Sequence, residues 1–544
     1  DVRVGVNAAT LPRYRTIESP EKYIELGWEA MYNRGVASGA ADPVAFANEN
    51  LFGGLGINPD YNLWDAEGAN LINPDSRMLR PEVNRRYNPE DWEDYGFQSS
   101  SRTEATLAFR GGTEKTKYYT SFGYLKDVGY IINSDFERYN ASLDLQNTIK
   151  PWLTTSTRMN YARTITNNNG QSEDSGSIFW FVDNIPPIFP LFLRDENGNM
   201  VEEPVFGGYE YDYGVGRAFG ALTNSIADAH YDRSRSVQNQ ISGHFNMNIK
   251  FTEHLTLENT FGAQYYVDKY VDLRNPFYGS AANQGGYVYR TNDHMLAYNL
   301  LNLLRYKKSF GEHYVEVLAA HESNLWENKF ESAQMEKMVH PDIEDLANFV
   351  IVAAPPFTYT DKARLESYFG QVNYNYQSKY YLSASVRRDG SSRFIGDNKW
   401  DTFGSAGFSW VISEEDFLQS ASIIDFLKYK ISYGLIGEQQ GVGYYPAYNT
   451  YNVNNLNDEI SISENEIGNP DLTWETSKMF QTGVEFGLGK YLEGSVDYYL
   501  KNTENLLFDR RVGPSVGYAI LTVNDGILRN SGVEFELTSH IVND

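Results

Sequence analysis

VQNQISGHFNMNIKF, residues Val237 to Phe251, decides the fold. Its odd positions read Val237, Asn239, Ile241, Gly243, Phe245, Met247, Ile249 and Phe251, six of the eight apolar, while all seven even positions are polar. A period of two over this length describes a strand with one face in an apolar medium and the other in water. Strands of soluble proteins average about five or six residues, whereas a tilted strand needs about nine to eleven to cross a bilayer. This one is long enough to cross. The expectation is that Ile241, Phe245, Met247 and Ile249 face lipid, and that Gln240, His244 and Asn248 face a polar lumen.

Working outward, the same alternation recurs in Arg138–Thr148, Tyr368–Tyr376, Leu427–Leu435, Thr482–Leu488, Leu492–Leu500 and Ser531–Leu537, and a first strand is read at Val2–Ala8. Each is joined to one neighbour by a tight turn, at Gly111–Lys115, Ile149–Trp152, Thr252–His254, Lys308–Glu312, Gln377–Lys379 and Gly489–Tyr491. The other neighbour lies across a longer stretch: 9–102, 165–235, 269–293, 323–365, 437–473 and 504–527. Short periplasmic turns alternating with long extracellular loops are the signature of an outer-membrane barrel. The expected fold is therefore all-β, a transmembrane antiparallel β-barrel of about sixteen strands, with residues 414–426 as one overlong turn on the short side.

Composition agrees. The 544 residues carry 46 Lys and Arg against 72 Asp and Glu, a formal charge of −26, which repels phosphate and excludes nucleic acid as a partner. In 42–94, 165–235, 323–365 and 437–473 acids outnumber bases by 11 to 4, 11 to 4, 7 to 4 and 6 to 0, so these stretches hold −23 of the total. The strands and turns are near neutral, as a lipid face that penalises each Lys or Arg by up to ~2–4 kcal/mol requires. No run of about 18 apolar residues suggests a membrane helix, and the absence of Cys excludes disulfides and thiolate metal sites. Aromatic residues near strand ends, such as Tyr118, Tyr119, Trp152, Tyr380, Tyr381 and Trp410, are expected to form an interfacial girdle.

No enzyme motif is present. Ser391 and Ser392 lack a nucleophile elbow around them, and the eight His are scattered singly. Asp195-Glu196-Asn197-Gly198-Asn199 lacks the spacing of a calcium loop and reads as a turn. No catalytic residue, metal site or cofactor is expected. The informative feature is aromatic residues beside acids and amides in the long loops: Trp180, Phe181 and Asp183, then Tyr209, Tyr211 and Tyr213, then Tyr444 and Tyr445. Flat rings beside hydrogen-bond acceptors stack on sugar rings or pack on peptide side chains. The competing reading is a loop folded on itself, with these rings as its own core.

Five motifs then point to a family: RRDGSSRF at Arg387–Phe394 followed by Lys399-Trp400, GGTEKTKYY at Gly111–Tyr119, KISYGLIGEQ at Lys430–Gln439, NPDLTWET at Asn469–Thr476 and NSGVEFEL at Asn530–Leu537. Together they resemble the SusC/RagA family of TonB-dependent, or TonB-linked, outer-membrane transporters, over essentially the whole chain. The resemblance implies a multi-pass barrel in the Gram-negative cell outer membrane that imports oligosaccharides or oligopeptides, as the transporter subunit of a SusCD-like complex for nutrient uptake. It implies a SusD-like surface lipoprotein, the TonB–ExbB–ExbD complex acting through a plug, outer-membrane lipids, and a dimer of transporter–lipoprotein pairs as partners. Plugged transporter barrels have 22 strands. With about sixteen strands and no plug, the chain is expected to be an interior portion of a longer transporter, its plug and C-terminal strands missing. The alternative is a secreted all-β adhesin or carbohydrate-binding protein, which requires shorter strands and no short-long alternation.

Overall fold

In a computed structural model, which describes residues 1–7, 16–17, 19–53, 55–168, 177–418, 423–489, 491–513, 515 and 517–539, the deciding segment up to Lys250 lies within a strand over Arg233–Lys250, and Phe251 begins the turn after it. Sixteen strands pair antiparallel in one sheet, in unbroken chain order. They are β1 (Val2–Asn7), β2 (Ser100–Gly112), β3 (Thr116–Val128), β4 (Ser134–Lys150), β5 (Leu153–Asn168), β6 (Arg233–Lys250), β7 (Leu255–Arg274) and β8 (Tyr287–Phe310). Then follow β9 (His313–Met338), β10 (Phe349–Tyr376), β11 (Tyr380–Ser391), β12 (Trp400–Val411), β13 (Ile424–Glu438), β14 (Glu475–Leu488), β15 (Leu492–Glu504) and β16 (Ile527–Ser539). The end strands β1 and β16 are paired on one side only, so the barrel wall is partial.

Register sorts the two faces. Leu107, Phe122, Ala141, Tyr161, Ile241, Tyr265 and Leu296 are successive cross-strand partners, and every one of them except Ala141 is a large exposed side chain. A continuous exposed apolar row across seven strands is stable only against lipid. On the opposite face polar groups hold one another: Asn246 donates to Ser156 at 3.0 Å and accepts from Thr260 at 2.8 Å. Asn259 and Asn302 interrupt the apolar face, and the first donates to the second at 2.5 Å, which satisfies part of the polar demand that lipid would leave unmet. The polar face is concave, since one cavity of about 540 Å³ is lined by Asn373, Ser383, Ser409, Lys430 and Gln481 from five consecutive strands.

All six tight turns lie between consecutive strands, and the overlong one separates β12 from β13. Ala8, residues 9–15 and 169–176 of the long stretches, 419–422 of the overlong turn and Lys490 lie outside the described residues. One expectation needs correction. Residues 323–365, expected as one long loop, are mostly strand: β9 and β10 run through them and leave only 339–348 between. Pro355 and Pro356 argue against a strand, yet here β10 has β9 as its only partner and a bulge opposite Ala333 takes up both prolines. The stretch 269–293 shrinks to 275–286 in the same way.

At the short-turn end Tyr380 stacks between Tyr376 and Trp410, and both Tyr380 and Trp410 donate to Glu415, at 2.5 and 3.0 Å. Tyr119 and Tyr381, expected in the same girdle, fall on the polar face by register, beside Asp144 and Ser409.

The long connections fold rather than dangle. Helices α1 (Pro20–Ser38) and α2 (Pro43–Asn50) each begin with Pro after a capping residue, Ser19 and Asp42, and Gly39 ends α1 at φ 72°. They bury Ile24, Trp28 and Ala47 against Leu63, Trp64 and Phe189. Helices α3 (Trp92–Gly96), α4 (Ile178–Asn184) and α5 (Ser225–Tyr231) close a second core around Trp92, Phe181, Leu191 and Ile226. This layer sits on the long-loop side of the sheet.

Candidate functional site

Two concave regions follow from this architecture. The first lies within the loop layer, a cavity of about 490 Å³ whose lining includes Tyr61, Tyr87, Glu210, Tyr211, Tyr213 and Tyr278. It exists because 191–213 folds back on itself: Asp195 accepts the amides of Asn197 and Asn199 at 2.9 and 2.7 Å, Gly198 takes φ 84°, and Arg194 bridges Met200. The stretch is thus the expected turn, whose hydrogen bonds from Asn199 hold the Asp195 carboxyl below its usual range.

Below the cavity lies a buried polar network. Arg217 is 2 % exposed; it donates to the carbonyls of Phe219, Gly220 and Thr223 at 2.7 to 2.8 Å and faces Asp212 at 3.5 Å. Asp212 also accepts from Tyr61 at 3.1 Å and from the amide of Gly214 at 2.8 Å. Burial pushes the Asp212 carboxyl up and the Arg217 guanidinium down, so desolvation works against the charges that this pairing keeps. Beside it Tyr213 donates to Asp228 at 2.9 Å. Burial, then the neighbouring Asp232, raises Asp228 to about 7.

Of the expected loop residues, Phe181 is fully buried in the second core and Tyr213 is 9 % exposed, stacked on Tyr278. Phe181 belongs to the loop layer's own interior, whereas Tyr213 also lines the cavity. Trp180 is exposed and stacks on Phe219 at 5.3 Å, while Asp183 is half-buried on the same helix. Tyr209 is exposed, and Tyr211 packs between Phe192 and Tyr231 on the cavity wall.

The second region is on the polar face of the sheet, where Tyr444 lies parallel to Trp326 at 4.7 Å with the Arg393 guanidinium 5.1 Å from its ring. Tyr445 accepts from the amide of Lys362 at 3.1 Å, which anchors the 439–449 connection to β10. A cavity of about 530 Å³ here is lined by Gln264, Asn299, Asn324, Trp326, Arg393 and Gln439. Trp326 and Arg393 escaped sequence reading. The available signal was parity, because Trp326 is an aromatic on the polar phase of an alternating strand.

Lumen cations are matched by acids. Arg305 pairs with Glu258 and Glu316, Arg387 with Glu322 and Asp389, and Lys430 with Glu485 and Asp497. Arg85 in the loop layer is held by Glu21 at 2.5 Å.

Residues 193–541 match the family described as TonB dependent receptor-like, beta-barrel. A TonB-dependent receptor of Formosa agariphila is 26 % identical over 98 % of the chain and 54 % of its own length. The TonB-dependent receptor SusC of Bacteroides thetaiotaomicron is 26 % identical over 82 % of the chain and 46 % of its own. The chain thus spans about half the length of the curated relatives it matches. Among solved structures, that of the RagAB peptide transporter superposes with a TM-score of 0.71 at 22 % identity, covering 96 % of this chain and 56 % of that one. At that identity the likeness shows the fold.

Proposed function

The chain belongs to the TonB-dependent receptor-like β-barrel family, is of SusC/RagA type and resides in the outer membrane; from that premise we propose that it is the wall and outer vestibule of a TonB-dependent importer of oligosaccharides or oligopeptides. A SusD-like lipoprotein would cover the loop layer, and the TonB–ExbB–ExbD complex would supply the energy. Assembly as a dimer of transporter–lipoprotein pairs belongs to the same reading.

The observation that carries it is the Trp326–Tyr444 platform on the concave polar face, beside the amides of Asn324 and Gln439. A flat aromatic pair rimmed by amide and guanidinium donors offers stacking and hydrogen bonds to a sugar ring or a peptide plane. Trp180 and Tyr209, exposed on the loop layer, offer first contacts above it, with Tyr211 on the loop cavity wall. The acidity of the long connections favours a neutral or weakly charged ligand, since a Debye length of ~8 Å at ~0.15 M salt still lets clustered carboxylates repel an anion nearby. The two basic pairs that could have offset this field, Arg85-Arg86 and Arg387-Arg388, each have one member already held by acids.

The test is uptake by cells expressing the full-length protein, with fluorescent neutral oligosaccharides, neutral oligopeptides and a polyanionic oligomer of equal length. Trp326→Ala with Tyr444→Ala should lower uptake of one neutral class while assembly is unchanged. Unaltered uptake of every probe would remove the platform from the pathway.

A further inference from the structure

Neighbouring arginines in RRDGSSRF have opposite fates. Arg387 points to the lumen, where Glu322, Asp389 and Ser367 hold it at 2.7 to 2.8 Å. Arg388, one residue on, projects from the lipid face, opposite Tyr368 and in line with Leu382 and Val386, which are large and exposed. Its guanidinium lies 5.9 Å from the centre of the Trp400 ring. Four residues beyond that level on the adjacent strand, Arg364 projects from the same face and is likewise exposed. Among the described residues neither arginine has an ion-pair partner. The nearby acids are engaged elsewhere: Glu327 by Lys329 and Lys362 at 3.1 and 2.7 Å, and Glu366 by His321.

Depth gives this pair its meaning. From the short turn at 377–379, the outward residues of β11 run Tyr380, Leu382, Ala384, Val386 and then Arg388. That is about nine residues of strand, the length that crosses the hydrocarbon at a tilt. Arg388 therefore emerges where the apolar layer ends on the long-loop side, and Arg364 about 14 Å further along the strand direction, at about 3.4 Å per residue. Tyr368 pairs directly with Arg388, and Trp400, level with Gly390, lies two residues beyond, between the heights of Arg388 and Arg364; both are half-apolar rings with a polar edge. A cation with no protein partner at that depth is favoured beside an anion supplied by the membrane. On a chain of net charge −26 it is also a local reversal of sign.

We propose that Arg364 and Arg388, with Trp400 and Tyr368 between and beneath them, form a binding site for the phosphate-bearing headgroup of an anionic outer-leaflet lipid on the outer surface of β10 to β12. The headgroup phosphate accepts from the two guanidinium groups, and an acyl chain lies along Val386 and Leu382. The site fixes the height and tilt of the wall beside the charged pair.

The experiment uses the full-length protein in detergent, titrated with phosphatidylglycerol and, separately, phosphatidylcholine, with retained lipid counted by native mass spectrometry. Phosphatidylglycerol should be retained on the order of tenfold more tightly than phosphatidylcholine, from two surface cations. Arg364→Gln/Arg388→Gln should abolish that preference, and Arg364→Lys/Arg388→Lys should keep most of it. Heat-modifiable migration reports that each variant is folded, and Lys478→Gln, an outward substitution on β14, should leave the preference unchanged. Glycerol phosphate at equal headgroup concentration should compete poorly. Equal competition would replace the lipid with a free phosphate ester and overturn the proposal, as would a double Gln variant that keeps the wild-type preference.

Discussion

Replacing Arg217 by Met keeps an unbranched side chain inside the loop layer but removes the donors to Phe219, Gly220 and Thr223 and leaves Asp212 without its cation. Breaking a buried pair from one side costs about 3–5 kcal/mol. Asp212 keeps two donors, the Tyr61 hydroxyl and the Gly214 amide, so its own share lies at the low end. The lost donations to the three carbonyls fall within that range rather than on top of it. A total near 4 kcal/mol multiplies the local opening equilibrium about a thousandfold, at ~1.4 kcal/mol per factor of ten. Hydrogen exchange on the full-length protein in detergent would read it: the slowest amides of 177–193 and 211–229 should exchange about a thousandfold faster, with β6 and β7 amides unchanged. Asp212→Asn in the same chain should recover part of the loss, because the stranded carboxylate then disappears. Unchanged exchange in the single variant would show that the network is not what holds the layer together.

Single-Cys variants of a chain with no native Cys check the wall: positions 240 and 244 should react with an aqueous maleimide and positions 241 and 245 should not, because a one-residue slip inverts both faces. Asp228, raised to about 7 from an ordinary 3.8, keeps its proton in the folded layer at pH values where the unfolded chain has lost it. Loop-layer stability should therefore fall as pH rises from about 4 to about 7, by up to ~4 kcal/mol at ~1.36 per unit, and Asp228→Asn should flatten that slope in exchange measured across the range. A Cβ at Gly437 would meet the Phe403 ring at 2.1 Å, so Gly437→Ala should cost about 1–3 kcal/mol in a denaturant titration and Phe403→Leu should relieve it. In a double-mutant cycle on ligand binding, Trp326→Ala and Tyr444→Ala should be non-additive by ~0.5–1.5 kcal/mol, the worth of a ring pair.

Much of the wall could be read from residue order, because lipid and lumen enforce opposite chemistry on alternate residues and the tight turns break that rhythm. Where the strands leave the bilayer the constraint lapses. β10 over 349–364 carries Val350-Ile351-Val352 and two prolines with no alternation, and it reads as a loop although it is paired throughout most of its length. The loop layer hid its logic for another reason. Trp180 and Phe181 are adjacent aromatics, one exposed and one fully buried, and only the pitch of a seven-residue helix separates them. Tyr213 and Tyr209 differ in the same way across a short fold-back. Local composition says that rings are present, whereas which of them stays available depends on partners such as Phe219, Tyr278 and Asp228, far off in the chain or in another connection.

Among the described residues, the cores around Trp28 and around Phe181 contain none from the sixteen strands. Substitutions in such separated clusters add rather than couple. Natural selection thus meets a two-part object, in which the cap can drift and swap its cavity lining without renegotiating the register of the wall. The wall in turn answers to the thickness of the membrane.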